Sequence, residues 1–285
     1  MNLTDLSVIR SIQTEFGFEF SKGLGQNFLI NPTVAPKIAE QGSTPDSGVI
    51  EIGAGFGVLT KELCLRAKSV VCIELDRRLL PVLSNTVPYD NLTVINADIL
   101  KCDLSEIIRT HFSDIENVTV CANLPYYITS PVIMKLLENR LPLESITVMV
   151  QKEAALRLCA KCGTRESGAV TYAVSYYAEP EILFNVSRGS FFPPPNVDSA
   201  VIKLTLHKTP PIKVLSEDFF FALIKGAFSM RRKTFVNSVS TSLNIPKADI
   251  ISALNSAGIS PDIRPERLTL SDFGIISDTL KGCME

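Results

Sequence analysis

GVIEIGAGFGVLT, residues 48–60, decides the fold. GVIEI is short, apolar and β-branched, and reads as a buried strand. Three glycines follow at alternate positions, Gly53, Gly55 and Gly57, and then VLTKELCLRA (58–67) takes up helical spacing. A strand that passes through a glycine turn directly into a helix is the first half of a βαβ unit. Glycine suits that turn because it lets the backbone approach a ligand and adopt conformations that a Cβ forbids.

The same alternation continues outward. SVVCIELD (69–76) is a second strand, RRLLPVLSNT a helix with an internal proline, LTVINAD (92–98) a third strand and LSEIIRTHF a helix. NVTVCAN (117–123) is a fourth strand, PVIMKLLENR a helix and SITVMVQ (145–151) a fifth strand. Strands that are apolar throughout, separated by single helices, predict an α/β protein with a parallel sheet covered on both faces. Beyond residue 151 the pattern changes. AVTYAVSYYA (169–178) and SAVIKLTLH (199–207) read as late strands completing the sheet, at least one of them antiparallel, joined through a loop carrying FFPPP. After His207 the text is helical, which predicts a sheet domain over 1–207 and a small all-helical domain over 208–285.

Bulk properties narrow the class. The 285 residues are 46% hydrophobic and 20% charged, enough for one large domain and a smaller one. No run of about eighteen apolar residues occurs, and MNLTDLSVIRSIQTEFGFEF lacks the basic start and apolar block of a secretory signal, so the expected location is cytoplasmic. Seven cysteines, several inside strand-like runs, suggest reduced buried thiols. Cys159 and Cys162 form one CxxC without a second pair or a nearby histidine, so no metal site is expected. The formal charge of −2 gives no global sign of a nucleic-acid binder. Locally, Lys225, Arg231, Arg232 and Lys233 face no acids between 219 and 246, and Arg157, Lys161 and Arg165 would share a face if 152–165 were helical.

Two acids sharpen the glycine turn. Glu74 closes the second strand, where a carboxylate can take both hydroxyls of a ribose, and Asp98 closes the third, where it can accept from an adenine amino group. Helix capping is the bland alternative for Asp76 and Asp98. Acids and glycines at the ends of consecutive parallel strands point to an adenosine-containing ligand in the carboxyl-end crevice. Val58 stands where a dinucleotide fingerprint wants glycine or alanine, and no Walker-type motif occurs.

The fourth strand delivers NLPYYITS (123–130) to the same edge. The exocyclic amine of a nucleobase is a poor nucleophile because its lone pair is delocalised into the ring. Acceptors that hold its hydrogens restore a pyramidal nitrogen, and the Asn123 side-chain oxygen and Leu124 carbonyl can be those acceptors. Pro125 stiffens the turn. Tyr126, or Tyr127 beside it, offers a face for an everted base, and Phe191 can close the other side. No general base is required, since methyl transfer from a sulfonium leaves a cationic amine that loses its proton to water.

With these residues in place, the chain resembles the KsgA/RsmA family of rRNA adenine dimethyltransferases from about Phe20 to Leu270. The likeness is carried by GLGQNFL (23–29), EIGAGFGVLT (51–60), IELD (73–76), NADIL (96–100), NLPYYITSP (123–131), VQKE (150–153), SFFPPPNVDSAVIKL (190–204), AFSMRRKT (227–234) and IRPERLT (263–269). NLPY is shared by many amino-methyltransferases, whereas LGQNFL, the FxPPPxVDS block and RPERL in this order are far more specific. The resemblance implies a Rossmann-like class I S-adenosylmethionine-dependent methyltransferase sheet with a helical C-terminal domain. It implies S-adenosylmethionine held at Asn27, Leu29, Gly53, Glu74, Asp98 and Asn123, of which the last four, with Gly55, were reached from the residues themselves. It also implies a substrate of two neighbouring adenines near the 3′ end of small-subunit (16S) rRNA in a pre-ribosomal 30S particle. Arg231, Arg232 and Lys233 then acquire phosphates to grip, LGQNFL becomes a latch over the cofactor, and a monomer is expected. Gly23 departs from the bulkier or polar residue common in relatives. The alternatives are an Erm-type enzyme acting on large-subunit (23S) rRNA, and a non-catalytic assembly or transcription factor.

Overall fold

The protein is described by a computed structural model over residues 1–20, 25–230 and 232–283; Gly23 and Arg231 lie outside the described residues. In chain order the strands are β1 (Phe28–Leu29), β2 (Gly48–Ile52), β3 (Ser69–Glu74), β4 (Leu92–Asn96), β5 (Val118–Asn123), β6 (Ser145–Gln151), β7 (Ala178–Val186), β8 (Phe191–Phe192) and β9 (Ser199–Leu206). The helices are α1 (Leu6–Phe16), α2 (Val34–Gly42), α3 (Val58–Cys64), α4 (Leu80–Thr86), α5 (Leu104–His111), α6 (Thr129–Glu138), α7 (Lys152–Leu158), α8 (Ala169–Tyr177), α9 (Glu217–Ala227), α10 (Phe235–Leu243), α11 (Lys247–Ser256) and α12 (Leu270–Gly282).

A seven-stranded sheet runs β4-β3-β2-β5-β6-β9-β7. Its first five strands pair in parallel, and β9 joins β6 antiparallel, with Gln151 opposite Ser199. This is the class I methyltransferase sheet, and the order reverses between β2 and β5. The glycine turn leaves from that switch point, where open α/β sheets bind ligands. On one face, Val49, Val70, Cys72 and Cys121 pack against Ile38 and Ala39 of α2 and Leu59 and Leu63 of α3. Burying each valine, isoleucine or leucine among them contributes roughly 1.5–3 kcal/mol. Gly57 begins α3 at φ 89°, and a Cβ there would collide with Val87, so both conformation and packing require glycine. The proline of RRLLPVLSNT does no damage because it falls in the first turn of α4, where its missing N–H has no partner to lose.

The chain divides into two compact units, residues 1–155 with 181–206, and residues 156–180 with 207–285. The second unit therefore also takes in a stretch expected in the sheet domain. AVTYAVSYYA, expected as a strand, is the helix α8. Its aromatic and β-branched composition suggested a sheet, but at helical spacing Tyr172 and Tyr176 share one face. The Tyr172 ring meets Phe273 edge-on at 4.8 Å and its hydroxyl donates to the Leu268 carbonyl, while Tyr176 packs on Phe220 and donates to Glu217. Tertiary partners override strand propensity here. The supposed basic face of 157, 161 and 165 also fails to form: α7 ends at Leu158, and Lys161 and Arg165 lie beyond it. No helix among the described residues is long and apolar enough to cross a membrane.

Candidate active site

Parallel register brings the carboxyl ends of four strands level. Ile52 lies opposite both Ile73 and Ala122, and Glu74 lies opposite Asn96. The residues next in line, Gly53, Glu74, Asp98 and Asn123, therefore meet around one cavity of about 250 Å³. Asn27, Leu29, Gly55, Leu124, Tyr126, Tyr127 and Phe191 line it too. Every cofactor and catalytic residue expected from the sequence is thus at this cavity. Lys233 and Arg232 are exposed and belong to the other unit.

Glu74 is 6% exposed. Its Oε2 accepts from the Gly55 amide at 3.2 Å and its Oε1 from the Asp76 amide at 2.8 Å. Burial pushes its carboxyl above the ordinary carboxylate range, and those two amides pull the other way. The carboxylate is thereby fixed to the glycine turn, with further lone pairs for a ligand. Asp98 Oδ1 accepts from the Leu100 amide at 3.0 Å, bracing the turn after β4, while Oδ2 lies 3.8 Å from the Lys101 ammonium.

Asn123 ends β5 with its Nδ2 donating to the Asn27 carbonyl at 3.4 Å. Since an amide nitrogen and oxygen diverge, that bond turns Oδ1 away from Asn27, and no donor to Oδ1 is found among the described residues. Leu124 continues the ladder, its N–H donating to the Met149 carbonyl. The Tyr126 hydroxyl shares a 2.8 Å hydrogen bond with Ser199 Oγ, which fixes the ring, and burial raises its phenol pKa. Phe191 is 2% exposed and paired with Leu29, so its ring forms a wall of the cavity rather than a protruding plane.

Three features were not legible beforehand. Ser199, which holds Tyr126, sits 73 positions away on an antiparallel strand. Asp76 is a junction: it accepts from Gln26 Nε2 at 2.9 Å and from Arg78 Nε and Nη2 at 2.9 and 2.7 Å, and Arg78 in turn lies 4.9 Å from the Phe18 ring. Leu24 lies outside the described residues, and the rest of the segment, GQNFL (25–29), is tied down on two sides, by Gln26 to Asp76 and by β1 to β8. Glu51, inside β2, is fully buried, and neither carboxylate oxygen has a hydrogen-bond partner among the described residues.

The residues fit S-adenosylmethionine. A Cβ on Gly53 would meet nothing within 4 Å, so the turn leaves an open cradle. Glu74 suits a ribose, Asp98 an adenine amine, and Leu75, Ile99 and Leu100 supply apolar lining beside them.

Comparison with known proteins agrees with this geometry. The family model for ribosomal RNA adenine dimethylase matches residues 17–278. "Ribosomal RNA small subunit methyltransferase A" of Anoxybacillus flavithermus is 46% identical over 276 residues, covering 95% of this chain and 94% of that relative. Among solved structures, a dimethyladenosine transferase from Plasmodium falciparum superposes with a TM-score of 0.72 at 29% identity, covering 87% of this chain and 95% of that one. The 23S rRNA methyltransferase ErmE superposes at 0.66 with 25% identity, covering 90% of this chain and all of that one. The strand-end constellation and these likenesses together place the chain in the ribosomal RNA adenine dimethylase family.

Proposed function

We propose that the protein transfers methyl groups from S-adenosylmethionine to the 6-amino groups of two adjacent adenines near the 3′ end of small-subunit rRNA, acting as a cytoplasmic monomer on a pre-ribosomal 30S particle. The observation that carries this reading is the Asn123–Asn27 hydrogen bond, which leaves Asn123 Oδ1 as an acceptor at the cavity. S-adenosylmethionine, when bound, supplies an electrophilic methyl group. Gly53, Glu74 and Asp98 hold and orient it, with Asn27 and Leu29 closing over it. Asn123 Oδ1 and the Leu124 carbonyl accept from the adenine amine, which concentrates its lone pair on nitrogen. Tyr126, stiffened by Ser199, stacks on the everted base, and Phe191 bounds the space opposite. No residue need remove a proton before transfer, and most of the acceleration comes from alignment. Arg231, Arg232 and Lys233 hold RNA phosphates, so replacing all three with alanine flattens the salt dependence of particle binding.

The greater identity to the small-subunit relative than to ErmE supports the choice of rRNA. The test is incubation of the protein and S-adenosylmethionine with unmethylated small- and large-subunit particles, followed by mass spectrometry of the nucleosides. Dimethyladenosine confined to the small-subunit rRNA is expected. Product confined to the large subunit favours the Erm-type reading, and failure to bind the cofactor favours a non-catalytic factor.

A further inference from the structure

Tyr126 and Tyr127 are consecutive, yet they are presented oppositely. Tyr126 is half-buried with its hydroxyl bonded to Ser199. Tyr127 is 55% exposed, and no hydrogen bond of its hydroxyl is found among the described residues. Both line the cavity. The Tyr127 ring is nevertheless backed: a Cβ on Gly25 would lie 3.3 and 3.4 Å from its Cδ1 and Cε1, and 3.5 Å from the Pro125 Cβ. Glycine at 25 lets the main chain come up under the ring, leaving the rest of its surface to solvent. Three large exposed apolar side chains rim the cavity, Leu75, Leu100 and Tyr127. The two leucines follow Glu74 and Asp98 at the end suited to adenosine, while the aromatic plane stands beside Asn123 and Leu124, where the nucleophile enters.

This bears on a substrate with two adjacent reactive bases, and so rests on the proposed function. In that function one base at a time presents its amine to Asn123 Oδ1 and the Leu124 carbonyl. Everting that base strips its neighbour of a stacking partner, a loss that a protein surface can offset. We infer that Tyr127 is an outer subsite, a stacking platform for the purine adjacent to the everted adenine. A platform reads the face of a base and not its edge, so it accepts the neighbour before or after methylation. Dimethylation removes the amine's N–H donors but leaves its π-face intact, so whichever adenine is outside the cavity is held while the other reacts. Tyr127 is in this sense a positioning residue for the RNA.

The experiment uses the full-length protein as Y127F, Y127L and Y127A, with small-subunit particles lacking the modification. It measures KM and kcat for the particle, S-adenosylmethionine affinity by equilibrium dialysis, and methyl distribution over the two adenines by mass spectrometry. Y127F is expected to match wild type. Y127L and Y127A are expected to raise KM about tenfold, in line with the loss of one base–aromatic stack, and to accumulate RNA modified at one adenine only. Their cofactor affinity stays at the wild-type value. Wild-type KM and methyl distribution in Y127A overturn the inference, as does a Y127L that behaves like Y127F, which would make the contact merely apolar. Cofactor affinity falling in step with particle use also overturns it, by assigning the ring to the cofactor. Failure of the wild type itself to methylate either adenine sinks the proposed function and this inference with it, an outcome distinct from a difference between variants.

Discussion

The side-chain amide of Asn123 donates to the main-chain carbonyl of Asn27 across 96 positions of sequence. A strand end is thereby coupled to the segment expected to close over the cofactor, and in the proposed function the same amide offers its oxygen to the substrate. Asn123→Ala removes both. Losing an acceptor from an amine that develops positive charge costs about 1.5–3 kcal/mol, which corresponds to a fall in kcat of about tenfold to a hundredfold. Single-turnover assays with saturating cofactor measure it, with S-adenosylmethionine affinity falling less; unchanged turnover would remove Asn123 from the chemistry.

Ser199 and Tyr126 should act as one unit. Ser199→Ala frees the Tyr126 ring to rotate, and Tyr126→Phe breaks the same hydrogen bond from the other side. Each is expected to raise KM for the particle severalfold, on the scale of one hydrogen bond of about 1 kcal/mol. The double variant should be no worse than the worse single one. Full additivity in that cycle would mean the two residues contribute independently.

Asp76 ties Gln26 and Arg78 to the turn that carries Glu74. Asp76→Ala is expected to weaken S-adenosylmethionine binding and lower Tm, because Gln26 loses its acceptor and the Glu74 turn its brace. Arg78 is the main reason the Asp76 carboxyl sits below the ordinary aspartate value. A depressed carboxyl contributes stability above its unfolded pKa, and that contribution disappears as pH falls through the folded value. The Tm difference between wild type and Asp76→Ala should therefore narrow in acid. A gap that stays constant down into the acid range would show that the charge plays no part.

The sheet was legible because the parallel strands are short and mostly apolar and lead to polar residues at their carboxyl ends, as in the runs to Glu74, Asp98 and Asn123. The helical α8 was not, since AVTYAVSYYA satisfies both periods and only its partners Phe220 and Phe273 choose between them. Sequence placed Tyr126 at the site but not Ser199, because their contact depends on β9 pairing antiparallel with β6 in one particular register. Asp98 shows a limit of another kind: its carboxylate braces a turn through the Leu100 amide and pairs with Lys101, local contacts that its place after a strand did not disclose. Phe191 was placed at the cavity correctly, while its near-complete burial follows from the pairing of β1 with β8.

Glu51 gives a pH prediction of the opposite sign to Asp76. Its carboxyl is buried in β2, neither oxygen has a well-formed hydrogen bond among the described residues, and its pKa is raised to about 8. Burial is the largest cause; the neighbouring Thr60 hydroxyl acts against it, and the Glu74 charge adds to the rise. Between the unfolded value near 4.5 and about 8, the folded state holds a proton that the unfolded state has released. Stability must then decline as pH rises through that window, by an amount on the order of several kcal/mol across its full width. Glu51→Gln removes the titration while keeping the size of the group, so its unfolding free energy should fall less between pH 5 and pH 8, in urea titrations at matched ionic strength. At alkaline pH the variant should be the more stable protein. Parallel pH profiles for the two would mean that Glu51 ionises with a folded pKa close to its unfolded one, and that its burial is relieved by water or local motion.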